Sequence, residues 1–209
     1  DCPIPMSFRT EEKIKIDPSR IPRFLSWLAD SGASILYPCR RIISVYLDND
    51  RLAMYHDSEE GVLPRKKLRF RRYEPSRIHA AMGYLETKIS SVEGRFKTSV
   101  PLVELPDLAT FSLIDNQYGI CHPRVTVSYL RSYYIVNGLR LTIDQDLSYQ
   151  SIVMNRSVFT VFDPCVAIEV KGPHHLSPDI LAEAVPWDRA RFSKYCRAVE
   201  MAILSHLGK

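Results

Sequence analysis

The chain has 209 residues, with 28 Lys+Arg against 24 Asp+Glu and a formal net charge of +4. With 45% hydrophobic and 25% charged residues it has the composition of an ordinary soluble globular protein, expected as a single domain over residues 1–209. Collagen-like, disordered and membrane-spanning classes are excluded, since no apolar run approaches the roughly 18–20 residues of a span, and Asp1-Cys2-Pro3-Ile4-Pro5 does not read as a secretory signal.

Taken in chain order, the pattern is mostly strand. Residues 8–16 alternate, with Phe8, Ile14 and Ile16 on one face and Arg9, Glu11, Lys13 and Lys15 on the other. Asp17-Pro18 offers an N-cap and a first-turn proline, Ile21, Phe24, Leu25 and Leu28 follow at helical spacing, and Gly32 closes that helix. Residues 41–48 alternate again, followed by an expected loop through Asp57-Ser58-Glu59-Glu60-Gly61. Further strands are expected at 66–73, 84–89, 94–100, 123–134, 138–144 and 165–171. Ser177-Pro178 starts a short helix, and Asp188 is expected to cap a longer one carrying Phe192, Tyr195, Cys196, Val199, Ala202 and Ile203 on one stripe. About eight strands with short connections predict an α+β fold, predominantly antiparallel β, closed as a barrel with helices covering or plugging it.

Five scattered cysteines (Cys2, Cys39, Cys121, Cys165, Cys196) include no Cys-x-x-Cys pair, so free thiols in a reducing cytoplasm are expected. Cys121-His122 and His174-His175 read as chance neighbours in loops.

The residues opposite the apolar parity carry the information. They include Glu11/Lys13, Lys67/Arg69/Arg71, Glu86/Lys88, Arg95/Lys97, Arg140/Asp144 and Glu169/Lys171. One such strand means little, because an alternating strand normally shows its polar face to water. Over six strands, with Arg abundant and Ser, Thr, Asn and Gln scarce, an inward-facing charged bore becomes the sharper reading. Crowded cations need an anion to neutralise them, and Arg forks and Lys ammoniums suit phosphate oxygens. Carboxylates among them suit a hard divalent cation bridging those oxygens. Residues 65–73 hold six basic residues in nine, which an exposed edge strand would also tolerate.

These motifs resemble the VTC domain, the polyphosphate polymerase domain of vacuolar transporter chaperone complexes and their bacterial relatives. The resemblance runs in order through Arg9-x-Glu11-x-Lys13, Ser44-Val45-Tyr46-Leu47-Asp48 with Leu52 and Tyr55, Lys67-Leu68-Arg69-Phe70-Arg71-x-Tyr73 and Leu85-Glu86-x-Lys88. It continues through Pro123-x-Val125-x-Val127-x-Tyr129-x-Arg131, Gly138-x-Arg140-x-Thr142-x-Asp144, Ile168-Glu169-x-Lys171 and Phe192-Ser193-Lys194-Tyr195. The family departs here from the wider Glu-x-Glu-x-Lys signature by having Arg9 first, which argues against the thiamine triphosphatase and adenylyl cyclase branches.

The resemblance implies an eight-stranded triphosphate-tunnel barrel that transfers the γ-phosphoryl group of ATP to polyphosphate with Mn²⁺ or Mg²⁺. By position it implies a catalytic, phosphate-binding set of Lys13, Arg69, Arg71, Lys88, Lys97, Arg131, Arg140 and Lys194. Glu169 is the implied metal ligand, with Glu11 and Glu86 as helpers. Lys67, Tyr129, Lys171 and Ser193 complete the substrate-binding residues. Eukaryotic complexes add an inositol-phosphate-sensing SPX domain and membrane helices, and neither lies in these 209 residues. Two alternatives use the same residues. One is a metal-dependent tripolyphosphatase or nucleoside triphosphatase, with water as acceptor. The other is a non-catalytic binder of polyphosphate or RNA, with Tyr73, Tyr129, Tyr133 and Tyr134 as a stacking surface. The modest net charge and interleaved Glu residues argue against nucleic acid.

Overall fold

The computed structural model describes residues 9–74, 83–104, 106–153, 156–173 and 176–205. Ten strands form one antiparallel system: β1 (Arg9–Ile16), β2 (Ser34–Asp48), β3 (Arg65–Glu74), β4 (Gly83–Ser91), β5 (Gly94–Leu102), β6 (Leu113–Asp115), β7 (Gly119–Val136), β8 (Leu139–Val153), β9 (Arg156–Asp163) and β10 (Val166–Pro173). The main path runs β1-β10-β8-β7-β2-β3-β4-β5, with β6 paired to β7 and β9 to β8.

The expected closed, eight-stranded barrel is therefore corrected in two respects. Among the described residues β1 and β5 are free edges that do not pair with each other, so the sheet is open, and its strands number ten. The eight expected strands form the main path. The two additions escaped the alternation test because β6 is only three residues long and Val158-Phe159-Thr160-Val161-Phe162 in β9 is not alternating. β2 also begins earlier than the pattern predicted. Pro38 interrupts it, and the pairing with β7 shifts register on both sides of Tyr37, the irregularity a proline imposes on a ladder.

One face of the sheet is apolar along β1, β8 and β10. Ile14, Ile16, Leu139, Leu141, Ile143, Val166, Ile168 and Val170 pack there with Phe24 and Leu28 of α1 (Ile21–Asp30) and Leu181 of α3 (Pro178–Ala184). Each such side chain contributes about 1.5–3 kcal/mol by leaving water. Asp17 caps the 3-10 turn that precedes α1, its carboxylate accepting from Ser19 N at 2.9 Å, as expected. Gly32 follows α1 with φ +69°, while Leu25 of the expected stripe is exposed.

The remaining helices depart from expectation. Residues 57–60, expected as loop, belong to α2 (Ala53–Glu60), which ends at Gly61 with φ +79°. Asp48 explains that helix: its carboxylate accepts from the Met54 and Tyr55 amides, each at 3.0 Å. The last helix, α4 (Lys194–Val199), is capped by Ser193 rather than Asp188, and it continues as a π-helical turn over Glu200–Leu204. Residues before it are held extended by a bridge between Arg189 and Ile14. The Tyr195, Cys196, Ala198 and Val199 side chains pack in a second core with Tyr46, Val125, Val127 and Tyr129.

Cys121 and His122 lie within β7, not in a loop, and Cys121 is fully buried. Cys39, Cys121, Cys165 and Cys196 are free thiols. Phe8, Cys2 and His174-His175 lie outside the described residues. Among the described residues no helix is long and apolar enough to cross a membrane.

Candidate active site

Strand register places the charged parities on one face. Glu11 pairs with Lys171 and Lys13 with Glu169 across β1 and β10; Glu169 pairs with Thr142 and Lys171 with Arg140 across β10 and β8. Arg131 then pairs with Asp144 across β7 and β8. On the other half, Tyr46 and Ser44 of β2 pair with Arg69 and Arg71 of β3, Arg69 pairs with Glu86 of β4, and Lys67 and Lys97 both pair with Lys88. The two halves meet over the sheet's concave side, where Lys88 Nζ of β4 lies 3.8 Å from Glu11 Oε1 of β1.

Two carboxylates are fully engaged by cations. Glu86, 3% exposed, takes Arg69 Nη2 at 2.6 Å, Arg71 Nη1 at 3.4 Å and Lys97 Nζ at 2.5 Å. Burial opposes its ionisation, but Arg69, Arg71 and Lys97 hold its carboxyl at about 2. Asp144, 1% exposed, receives Arg131 Nε at 2.5 Å and Nη2 at 2.7 Å, and Lys194 Nζ at 2.5 Å. Against the cost of burial, Lys194 and Arg131 depress its carboxyl below the usual range.

The other two carboxylates are grouped. Glu169 Oε1 lies 2.6 Å from Lys171 Nζ, and Glu11 Oε2 lies 3.7 Å from the same ammonium. Burial again favours protonation of Glu169, but Lys171 and Arg131 keep it well below the ordinary carboxylate range. Among the described residues, no cluster of three or more Asp, Glu, His or Cys gathers. A hard cation such as Mg²⁺ characteristically takes one or two carboxylates together with phosphate oxygens and waters. Glu169, whose Oε1 is held by Lys171 but whose Oε2 has Arg131 only at 3.8 Å, and Glu11, whose cations lie at 3.7–3.9 Å, retain oxygens for such an ion, whereas both oxygens of Glu86 and of Asp144 are held by Arg and Lys.

Helix α4 completes the site. Its Lys194 ammonium lies 4.7 Å from the Tyr129 ring centroid, and Asp144 raises its affinity for the proton although burial opposes this. Lys13 Nζ donates to Phe192 O at 2.9 Å, and Lys67 Nζ to Ser193 Oγ at 2.8 Å, so β1 and β3 are both tied to the start of α4. Burial, then repulsion from Lys88, lowers the Lys13 ammonium to about 8. Arg71 lies within 3.3 Å of Tyr129 Oη. Arg140 has no carboxylate partner among the described residues, and its buried Nε has no hydrogen-bond partner.

Every residue the resemblance nominated therefore lies on this one face or at the α4 end that borders it. Asp144 shares the charged parity with Arg140 and Tyr46 lies within a quoted motif, but sequence reasoning assigned neither a role in the site. The Tyr46 hydroxyl accepts from Arg69 Nη1 at 2.9 Å and its ring stacks on Tyr195 at 4.9 Å. Burial would raise this phenol, yet Arg69 and Arg71 bring it down to about 8. The expected stacking surface does not form as one unit: Tyr129 and Tyr133 are buried on the concave side, while Tyr134 packs against the core on the opposite face.

An open, curled antiparallel sheet with a cation-lined concave face is the triphosphate-tunnel type of fold. Similar solved structures include a candidate adenylate cyclase from Vibrio parahaemolyticus, 13% identical with a TM-score of 0.53, covering 93% of this chain and 98% of that one. Another is a candidate adenylyl cyclase from Hippeastrum, described as revealing a dominant triphosphatase activity. It is 13% identical with a TM-score of 0.51, covering 93% of this chain and 97% of that one. No curated protein matches the sequence. The VTC domain family matches residues 8–203, and the chain belongs to that family.

Proposed function

We infer that the chain is a metal-dependent phosphoryl-transfer enzyme whose reaction is extension of polyphosphate by the γ-phosphoryl group of ATP. The observation that carries this reading is the excess of Lys and Arg over carboxylates on the concave face, in a chain of the VTC family. A polyanion of phosphates supplies the missing charge.

Phosphoryl transfer passes through a loose transition state that needs positioning and charge stabilisation rather than a side-chain nucleophile. A terminal oxygen of the polyphosphate primer forms the new bond to the γ-phosphorus. The bond from that phosphorus to the β-phosphate oxygen breaks, and ADP departs with the electron pair. Arg69, Arg71, Arg131, Arg140, Lys13, Lys88, Lys97 and Lys194 hold phosphate oxygens and oppose the charge that spreads over them. Glu86 holds Arg69 and Arg71 in place and Asp144 holds Arg131, and Lys67, Lys171, Tyr129 and Ser193 border the chain. When bound, Mn²⁺ or Mg²⁺ neutralises phosphate charge, with Glu169 as its ligand and Glu11 beside it.

A second reading is hydrolysis, favoured by the triphosphatase activity named for the Hippeastrum protein. The phosphate-binding residues serve either acceptor. The purified chain with ATP and Mn²⁺ is assayed for ADP, free phosphate and long-chain polyphosphate, with Glu169→Gln as control. ADP with polymer, lost in the variant, supports the polymerase; ADP with free phosphate alone makes it a hydrolase. Polyphosphate or RNA binding without turnover sinks both.

A further inference from the structure

The end of the concave face farthest from α4 is aromatic. Along β7 the residues sharing the Arg131 parity run Val125, Val127, Tyr129, Arg131, Tyr133. Helix α4 packs with the Val125–Tyr129 stretch, so Tyr133 stands at the other end. Strands β2 and β3 bring Tyr37, Arg40 and Tyr73 to the same place: Tyr37 pairs with Tyr133, Arg40 with Arg131, and Tyr73 with Ile42, itself opposite Tyr129.

These side chains interlock. The Arg40 guanidinium lies over two rings, 4.4 Å from the Tyr73 centroid and 5.1 Å from that of Tyr133, and its Nε donates to Tyr133 Oη at 2.8 Å. Tyr37 stands edge-on to Tyr133 at 5.6 Å and is 51% exposed. Arg140, with its unpartnered Nε, lies 5.7 Å from the Tyr133 centroid on the inward side.

The faces of phenol rings offer nothing to a phosphate chain, whose oxygens are recognised by cations and hydrogen-bond donors. Rings layered with a guanidinium plane are what hold a flat π-system, by stacking and cation–π attraction. The phosphate-binding cations begin next to this cluster and continue away from it toward α4. A ligand with a planar head and a polyanionic tail fits that sequence of surfaces.

We propose that Tyr37, Arg40 and Tyr73, backed by Tyr133, form a nucleobase platform at the mouth of the site, with Arg140 receiving the phosphate nearest the nucleoside. The platform rests on the reading that a triphosphate lies along the concave face, and it gives that triphosphate a direction. The nucleoside sits at the Tyr73 end, and the γ-phosphate points toward Lys194. Stacking engages the base by its faces and not by its edges, so purine and pyrimidine nucleotides are both accepted, purines more tightly for their larger area.

Isothermal titration of the full chain with ATP, CTP and inorganic tripolyphosphate tests this, using Tyr37→Ala and Tyr73→Leu. Stacking contributions of the usual size predict about tenfold weaker ATP binding in each variant. Tripolyphosphate affinity stays at the wild-type value, which also reports that the variants fold. Equal losses for ATP and tripolyphosphate, or full retention of ATP affinity, overturn the platform while leaving the phosphate site standing. If the unaltered chain binds neither ligand, the functional reading itself fails and the platform with it.

Discussion

Arg69 and Glu86 face each other across β3 and β4, with the guanidinium Nη2 2.6 Å from the carboxylate Oε2. The same carboxylate also engages Arg71 and Lys97, so one buried anion orders three cations of the site. Removing it leaves those cations uncompensated, and losing one partner of a buried pair typically costs about 3–5 kcal/mol. Glu86→Gln is expected to lower the urea midpoint accordingly. Tripolyphosphate, supplying the lost negative charge, should raise the melting temperature of Glu86→Gln more than that of the wild type. An equal rise in both would show that Glu86 is not standing in for ligand charge.

The same residue sets an acid limit. Its folded-state carboxyl lies at about 2 against an ordinary 4.5, so its contribution is complete above 4.5 and is lost as pH falls toward 2. Denaturation between pH 5 and pH 2 should therefore show a steeper loss of stability for the wild type than for Glu86→Gln. Parallel curves would refute it.

Lys13 behaves in the opposite sense. Its ammonium titrates at about 8 in the ligand-free protein, held below 10.5 by burial and by Lys88. Bound phosphate favours the charged form, so binding takes up a proton above pH 8 and not well below it. Affinity for tripolyphosphate should weaken above pH 8 by at most about tenfold per unit. Calorimetry at pH 9 in two buffers of different ionisation enthalpy measures the uptake, and Lys13→Met should abolish it.

Arg131 and Arg140 should respond differently to truncation. Arg131 is the bidentate partner of buried Asp144, and Arg131→Ala leaves that carboxylate with Lys194 alone. A stability loss of about 3–5 kcal/mol is expected, as for other broken buried pairs. Arg140 has no carboxylate to strand among the described residues, so Arg140→Ala should cost clearly less stability than Arg131→Ala while weakening triphosphate binding. Denaturant titration and calorimetry on the two variants separate the roles. Similar destabilisation in both would contradict the distinction.

Glu169→Gln and Glu11→Gln address the metal. Loss of most turnover with normal folding is expected for Glu169→Gln, with a raised Mn²⁺ requirement for Glu11→Gln, read from rates against metal concentration. Because Lys171 and Arg131 keep Glu169 ionised well below the usual range, no acid limb of the rate profile between pH 5 and 7 should belong to it. A limb in that interval that disappears in Glu169→Gln would refute the assignment.

Most of the main strands were legible because their alternation is strict: Ile14 and Ile16 against Glu11 and Lys13, or Leu139, Leu141 and Ile143 against Arg140 and Asp144; the alternation over residues 123–134 was muddled. The direction of the charged parity was legible only collectively, since each strand alone reads as a surface strand. Sheet closure was not legible, because pairing between β1 and β5 depends on curvature and shear accumulated over the whole sheet, which no local pattern encodes. Helix α2 was hidden for a different reason. Its sequence, Ala53–Glu60, has little amphipathic character, and its Met54 and Tyr55 amides are satisfied by Asp48, which lies outside the helix at the end of β2 and not at the N-cap position. The structural role of Asp144 was missed because the family pattern drew notice to cations, while the carboxylate that aligns two of them shares their strand face.

On the proposed polyphosphate reading, the open edges of the sheet bear on how the primer enters. A sealed tube admits a polymer only by threading one of its ends. Here no backbone ladder joins β1 to β5 among the described residues, and the 3.8 Å approach of Glu11 to Lys88 is a side-chain contact that ions can replace. On that reading, such a gutter admits a chain from the side and not only by its end.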